Sequence, residues 1–210
     1  MKFAPALNAL VAQLDRAPDY GSGGQGFESS QARHPPFGGT MNLLFPLGEP
    51  PDPAERDRKI MGMALREAHL AMERDEVPVG VVVVLGNRVL GRAGNSVEQL
   101  KDATAHAEML ALTQAFEAVG EKRLEKAEVF CTLEPCIQCT GALMHARVAR
   151  LVYGAPDPKF GGVESLATLF DLPGVNHRVR HEGGLLAEES AQLLRRFFQS
   201  KRRRSKGDLL

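Results

Sequence analysis

Four side chains that bind metals or carry protons lie in one stretch, Thr104 to Cys139, and constrain this chain most strongly. His106 and Glu108 stand near its start, and Cys136 and Cys139 at its end. A catalytic zinc ion usually takes three protein ligands of the histidine or cysteine type and keeps its fourth position for water. His106, Cys136 and Cys139 therefore predict a site for one Zn²⁺ per subunit. The remaining carboxylate, Glu108, is suited to carry protons.

The spacing predicts that both ligand pairs lie where helices begin. Cys136 and Cys139 are three apart and share one helix face, and Pro135 before them suits a helix N-terminus. The partial positive charge there lowers thiol pKa values and favours the thiolates that zinc binds. His106 and Glu108 are two apart and would diverge on a regular helix. We therefore expect them in the first turn of a second helix.

A closed structural zinc site is the alternative interpretation of the same residues. It needs a fourth protein ligand, for which four histidines qualify by residue type only: His69, His145, His177 and His181. Glu108 favours the open, catalytic site, because a spare carboxylate has no role in a closed one. The third cysteine, Cys131, lies in an apolar run that reads as a strand, so we interpret it as a buried core thiol.

The composition of the chain constrains the class of protein that contains this site. The chain has 210 residues, which fits one domain with extra sequence at its ends. Three cysteines, two of them at metal-binding spacing, argue against a disulfide framework and for the reducing cytoplasm. No apolar run approaches a membrane span. The formal net charge is zero, so any attraction to nucleic acid must be local.

Periodicity predicts strands that alternate with helices. The predicted helices cover residues 53–74, 105–119, 136–147, 164–170 and 186–201, and the predicted strands cover 77–85, 88–93, 129–133, 150–155 and 178–182. Such alternation is typical of an α/β layered fold with a largely parallel part. The loop after the second strand contains Asn95 and reads as irregular.

Several motifs together resemble a known family. The H-x-E and P-C-x-x-C arrangement resembles the zinc-dependent nucleoside and base deaminases. Further segments are similar to the bacterial tRNA-specific adenosine deaminases: T-A-H-A-E-M-x-A-L from residue 104, L-E-P-C from 133, V-P-V-G from 77, G-A-P-D from 154, P-G-V-N-H-R from 173 and R-R-F-F from 195. The resemblance covers roughly residues 55 to 204.

The resemblance implies a fold and a reaction. The fold is a three-layer α/β/α, cytidine-deaminase-like architecture with a five-stranded mixed sheet. The reaction is hydrolytic deamination of the wobble adenosine, position 34 of tRNA, to inosine. Glu108 would take a proton from water, deliver it to the purine ring and protonate the departing amine. The tRNA anticodon arm is the implied partner, the implied assembly is a homodimer, and no membrane is involved.

The resemblance also implies the substrate-binding residues. Asn95 matches the amide that holds the flipped nucleoside, and Asp157 matches a loop residue near the ribose. Asn176, together with Pro173, matches a segment beside the anticodon loop. Glu134 is expected to use its backbone carbonyl toward the leaving group, with a structural side chain. Pro156 departs from the family, whose best-known members have a basic residue there.

The end of the chain is strongly basic. Residues 195–206 include seven lysines and arginines beside Phe197 and Phe198. Aromatic side chains among cations bind single-stranded RNA by stacking, and Phe198 is the expected stacking residue. The alternative is a solvated helix end that binds nothing.

These features divide the chain into four segments. We expect residues 1–40 to be a disordered or mis-annotated extension, because residues 19–26 are rich in glycine and serine and a start near Met41 fits better. Residues 41–54 are a predicted linker, 55–204 the zinc-dependent deaminase domain, and 205–210 a tail.

Two other functions remain open. One is a deaminase of a free base or nucleoside, such as guanine, because it would share the zinc chemistry. The riboflavin-pathway deaminases fit less well, since their cysteines are spaced more widely. The other is a non-catalytic RNA-binding deaminase-like subunit, which usually lacks the carboxylate that Glu108 provides here.

Overall fold

The structure is a computed structural model that describes residues 52–207. The predicted extension 1–40, nearly all of the predicted linker and residues 208–210 lie outside this range. The helices are α1 (Pro53–Glu73), α2 (Val97–Leu100), α3 (Ala107–Val119), α4 (Ile137–Ala146) and α5 (Ala187–Gly207), and a 3₁₀ turn covers Leu169–Asp171. The strands are β1 (Gly80–Leu85), β2 (Arg88–Gly94), β3 (Glu128–Leu133), β4 (Arg150–Ala155) and β5 (Arg180–Glu182).

The five strands form one mixed sheet in the order β2-β1-β3-β4-β5. The hairpin β1–β2 and the pair β1–β3 are antiparallel, whereas β3–β4 and β4–β5 are parallel. Parallel neighbours need a crossover, and the chain supplies one helix between β3 and β4. As a result, β3 and β4 have their carboxyl ends at the same edge of the sheet, where the L-E-P-C turn follows β3.

Apolar side chains cover both faces of the sheet and make three layers. Val81 and Val83 point to one face, where α3 and α4 pack, and Val82 and Val84 point to the other, where α1 packs. Helix α5 lies against β4 and α1. The first turn of α1 begins as the sequence predicts, because the Asp52 side chain accepts from the Ala54 N–H at 3.0 Å and proline occupies the first helical position. The predicted three-layer α/β/α fold with a five-stranded mixed sheet is confirmed.

Two glycines let helices approach the sheet closely. A Cβ atom on Gly80 would lie 2.0 Å from the Ala64 carbonyl oxygen of α1, and one on Gly91 would lie 2.4 Å from the Ala111 carbonyl oxygen of α3. Neither contact is possible for a larger residue without moving the helix. The β1–β2 hairpin is thus held tightly between α1 and α3.

Three local predictions need correction. The short helix predicted over residues 164–170 is wrong: residues 164–168 form a turn, a bend and irregular backbone, and only the 3₁₀ turn Leu169–Asp171 is helical. The backbone N–H groups of Glu164 and Ser165 instead bond to the side chain of Glu134. The loop after β2 contains the short helix α2, which was not predicted, and α5 continues to Gly207, six residues beyond its predicted end.

The amino-terminal ends of β3 and β4 carry a network of ion pairs. Arg56 of α1 bonds to Glu128 at 2.7 Å, and Arg150 bonds to Asp57 at 2.7 Å, to Glu128 at 3.1 Å and to Glu182 at 3.0 Å. Burial disfavours the charged form of Glu128, but the two arginines outweigh it and hold the pKa of Glu128 below its usual value. The network joins α1, β3, β4 and β5 at the end of β3 opposite the L-E-P-C turn.

Within residues 52–207, no helix is both long and apolar enough to cross a membrane.

Candidate active site

Two helix starts bring the predicted metal ligands together. His106 is the N-cap of α3 and has extended backbone angles (φ −72°, ψ 152°), and Glu108 is the second residue of that helix. Cys136 is the N-cap of α4, and Cys139 lies in its first turn. The non-helical backbone at His106 turns its side chain toward the same region as Glu108, as expected for residues in a first turn. This part of the prediction is confirmed by the helix bounds.

The ligand atoms lie at distances that suit a tetrahedral metal. His106 Nδ1 is 3.6 Å from Cys136 Sγ and 3.5 Å from Cys139 Sγ, and all three ligand atoms fall within 4.8 Å of one another. Zinc bonds of about 2.3 Å to sulfur and about 2.0 Å to nitrogen put such atoms about 3.5 Å apart in a tetrahedron. The three residues can therefore hold a metal ion.

Within the described part of the chain, this trio is the only group of three or more histidine, cysteine or acidic residues arranged to hold a metal. Of the four histidines considered for a closed site, His177 bonds to the Val148 carbonyl at 2.8 Å and His181 pairs with Glu164 at 3.3 Å. His69 and His145 are not in the group either. A fourth protein ligand is thus missing from residues 52–207, which favours the open site.

The two ligand thiols have unequal acidity. The thiol of Cys139 lowers the pKa of Cys136 to about 4, and the hydrogen bond to His106 acts in the same direction. The same contact with Cys136 raises the pKa of Cys139. A lowered pKa favours the thiolate of Cys136, the charged form that zinc binds.

Glu108 is buried beside the ligands, with 4% of its surface exposed. Burial raises the pKa of Glu108, because the charged carboxylate loses water. A raised pKa suits a group that must both accept and return a proton near neutral pH. The thiol of Cys131 donates to Glu108 Oε1 at 3.7 Å. Cys131 is fully buried in β3 and lies outside the metal trio, as predicted, but its contact with Glu108 was not foreseen.

Asn95 is brought to the start of α3. It follows β2 directly, 7% of its surface is exposed, and its side-chain oxygen accepts from the Ala107 N–H at 3.1 Å. Since Ala107 lies between His106 and Glu108, the amide group stands beside the metal trio. The segment after β2 thus brings Asn95 to the start of α3.

The side chain of Glu134 is fully occupied by the protein. It is 1% exposed, and its two oxygens accept the backbone N–H groups of Asp157, Val163, Glu164 and Ser165 at 2.8–3.2 Å, as well as the Ser165 hydroxyl. Burial opposes ionisation, but these donors hold the pKa of Glu134 below its usual value. The side chain therefore fixes the loop after β4 and is not available to a substrate.

That loop adjoins the metal trio. Gly161 forms an isolated β-bridge with Cys136, and the Gly162 N–H donates to the Pro135 carbonyl at 2.8 Å. A Cβ atom on Gly161 would lie 2.4 Å from Glu134 Cδ. Gly161, Gly162 and Ser165 were not among the predicted site residues. The Gly-Gly pair itself was the available signal, since adjacent glycines often mark close backbone approaches.

The remaining predicted substrate residues lie in three other segments. Asp157 stands at the start of this loop, where its side chain accepts the N–H groups of Lys159 and Phe160, and Pro156 precedes it on the surface. Asn176 is exposed in the segment before β5, and Phe198 is 45% exposed on α5. The structure thus brings Asn95 and Glu134 to segments that adjoin the trio, and it leaves Asn176 and Phe198 exposed.

The basic end of α5, residues 195–204, carries several ion pairs. Lys201 bonds to Asp75 at 2.8 Å, Arg204 bonds to Asp75 at 3.2 Å, and Arg195 pairs with Glu188. Phe197 is buried under the helix and packs edge-to-face with Phe198, at 5.3 Å between ring centres. Of the predicted aromatic pair, one ring therefore anchors α5 and the other faces outward.

The sequence of this chain is similar to those of known deaminases. The family model for MafB19-like deaminases matches residues 55–202. The tRNA-specific adenosine deaminase of Agrobacterium fabrum is 49% identical over 149 residues, which are 71% of this chain and 97% of that protein. The Aquifex aeolicus protein of the same name is 47% identical over 140 residues, or 67% of this chain and 92% of that protein. The chain belongs to the tRNA-specific adenosine deaminases.

Solved structures agree with membership of this deaminase family. One, from a study of A-to-I editing by tRNA:A34 deaminases at the wobble position of tRNA, has a TM-score of 0.63 and 48% identity, and the match covers 64% of this chain and 98% of that one. A guanine deaminase from Nitrosomonas europaea matches with a TM-score of 0.59 at 22% identity over 76% of this chain and 98% of that one, which shows the shared fold. The predicted resemblance is confirmed.

Proposed function

We propose that this deaminase hydrolyses the wobble adenosine of tRNA, position 34, to inosine and ammonia. The observation that carries the proposal is the metal trio of His106, Cys136 and Cys139 with the buried carboxylate of Glu108 beside it, in a chain nearly half identical to named tRNA-specific adenosine deaminases. A substrate tRNA also places the proposed activity in the cytoplasm.

Zinc is the proposed metal, one ion per subunit, held by the trio. Two sulfur ligands and one imidazole suit Zn²⁺, and bound zinc supplies the Lewis acidity that lowers the pKa of a water molecule toward neutrality. The protein's own part is proton transfer. Glu108 takes one proton from the attacking water and passes it to purine N1. It then takes the second proton from the hydroxyl group added at C6 and gives it to the amine, so that ammonia leaves and C6 becomes a carbonyl. Burial of Glu108 keeps bulk water from competing for that proton.

We propose the substrate contacts from the position of each residue relative to the metal trio. The oxygen of the Asn95 amide already accepts from Ala107, so its –NH₂ group is the part that would donate to the flipped nucleoside. The Glu134 carbonyl would accept from the leaving amine, while its side chain holds Asp157 near the ribose. Asn176 and Phe198 would contact the anticodon arm from outside the metal site.

RNA binding and dimerisation are also proposals. The basic end of α5 gives a local positive charge on a chain whose formal net charge is zero, and RNA binding needs such a local charge. Large apolar side chains near the start of α4 are exposed, namely Ile137 at 49%, Phe160 at 64% and Leu166 at 54%. An exposed apolar patch of this kind favours burial against another protein. We propose that it is covered by a second copy, giving the homodimer.

A free-base deaminase is the second function to test, because the fold match to a guanine deaminase shows that one architecture serves both chemistries. The test measures product from an anticodon stem-loop with adenosine at the wobble position, beside free adenosine and free guanine. A Glu108→Ala variant is the control. We expect inosine in the RNA alone, and none with the variant. Turnover of guanine or free adenosine with the RNA unchanged would contradict the proposal and support the alternative.

A further inference from the structure

Glu76 is a buried acid that neither the metal trio nor the ion-pair network contains. It lies in the connection between α1 and β1 and is 1% exposed. Its Oε1 atom accepts from the backbone N–H of Gln99 at 2.7 Å, across 23 positions of sequence. Burying a carboxylate is costly unless hydrogen bonds compensate. The hydrogen bond from Gln99 supplies part of that compensation.

The bond from Gln99 replaces a missing helix cap. Gln99 is the third residue of α2, and its N–H is a donor that the N-cap side chain usually satisfies. The N-cap here, Ser96, makes no such bond, because its hydroxyl donates to the Gly94 carbonyl at 3.4 Å instead. Glu76 thus caps α2 from a different part of the chain.

Helix α2 depends on such bonds because it has little packing of its own. It is four residues long and none of them is buried. Its start is attached by backbone bonds on either side of Asn95: the Asn95 N–H donates to the Val79 carbonyl, and the Ser96 N–H donates to the Ala105 carbonyl, both at 3.1 Å. The Glu76 bond fixes the far end of the same segment.

We propose that Glu76 is a positioning residue that acts through α2 on Asn95. By fixing Gln99, it holds residues 95–99 so that the Asn95 amide keeps its bond to Ala107 and presents its –NH₂ group to the nucleobase. The inference rests on the proposed function, in which Asn95 holds the flipped nucleoside. It assigns Glu76 a role in substrate binding, although the carboxylate itself touches no substrate.

A double-mutant cycle in steady-state kinetics on the anticodon stem-loop tests this role. Glu76→Ala should raise KM about tenfold and leave kcat within about twofold, because an interaction equal in ground and transition states affects KM alone. Glu76→Gln should restore KM to within about twofold of wild type, since its amide oxygen can accept the same N–H. The double variant Glu76→Ala/Asn95→Ala should have the same KM as Asn95→Ala alone. Glu73→Ala, an exposed acid one turn earlier, is the matched control and should leave KM unchanged.

Each failure has a different meaning. A wild-type protein that makes no inosine in the stem-loop overturns the proposed function and this inference together. If the wild type is active, three results would overturn the inference alone. They are an unchanged KM in Glu76→Ala, a KM in Glu76→Gln that is as high as in Glu76→Ala, and a double variant in which the two increases in KM multiply. Should Glu76→Ala not fold, Glu76→Asp replaces it in the cycle, because it retracts the acceptor by one methylene and keeps a carboxylate.

Discussion

At the scale of single residues, the site depends on where two helices begin. His106 and Cys136 are both N-caps, and Glu108 and Cys139 lie within the first turns that follow. Exposed N–H groups and partial positive charge at these starts favour thiolates and carboxylates. Two helix N-termini therefore position the metal trio and the proton carrier.

The three cysteines give a direct test of the ligand assignment. Cys136→Ala removes a ligand and should lower the zinc content of the purified protein from about one ion per chain to well below half, because a three-residue site loses one of its bonds. Cys131→Ala should keep the metal, since Cys131 lies outside the trio. Metal analysis of both variants by mass spectrometry decides the matter. Retained zinc in Cys136→Ala, together with loss in Cys131→Ala, would show that the ligand set is wrong.

At the scale of elements, the turn after α1 holds both the basic end of α5 and the segment after Asn95. Asp75, with a left-handed backbone (φ 64°), bonds to Lys201 and Arg204, while the neighbouring Glu76 caps α2. The hydrogen bond from Lys201 holds the pKa of Asp75 below its usual value, so this carboxylate stays charged at neutral pH. It therefore neutralises part of the positive charge proposed to bind RNA.

Removing that charge should strengthen RNA binding. In Asp75→Asn, Lys201 and Arg204 lose a competing anion, so we expect the Kd for an anticodon stem-loop to fall about threefold and its dependence on salt to steepen. Fluorescence anisotropy titrations at several salt concentrations measure both. Glu121→Gln removes the same charge from the segment between α3 and β3 and should leave Kd unchanged. Equal affinity in wild type and Asp75→Asn would count against RNA contact at this end of α5.

At the scale of the whole molecule, the ion-pair network ties α1 to three strands at the end of β3 opposite the L-E-P-C turn. Its contribution should depend on pH, because Arg56 and Arg150 lower the pKa of Glu128 against the effect of burial. A carboxyl group whose pKa is lower in the folded state stabilises the fold above its unfolded pKa. That stabilisation is lost as the pH falls through the folded value.

Glu128→Gln should therefore cost about 1.5–3 kcal/mol of unfolding free energy at pH 7. The cost should shrink below pH 4.5, the ordinary glutamate value, as the wild-type carboxyl group protonates. Urea unfolding of both proteins from pH 7 to pH 3 measures the difference. A difference that stays constant over this range would mean that the charge of Glu128 does not stabilise the fold.

Much of the fold and the metal trio could be predicted because their signals are local. Apolar periodicity placed the strands within three residues of their ends, and spacing together with a preceding proline placed the thiols at a helix start. Where the structure differs from the prediction, long-range hydrogen bonds to carboxylates are present. Glu134 organises residues 163–165 in a turn by accepting their N–H groups, and Glu76 supports α2 from outside it. Neither effect has a signature within a short window of sequence.

The proposed deamination of RNA depends on a proton carried by Glu108. The most direct measurement is the single-turnover rate of inosine formation in an anticodon stem-loop, with wild type and Glu108→Gln at equal zinc content. General acid–base catalysis contributes about 10²–10⁴-fold, so the variant should be slower by that factor while it still binds the RNA. A variant that forms inosine at the wild-type rate would contradict the assignment of Glu108 as the proton carrier.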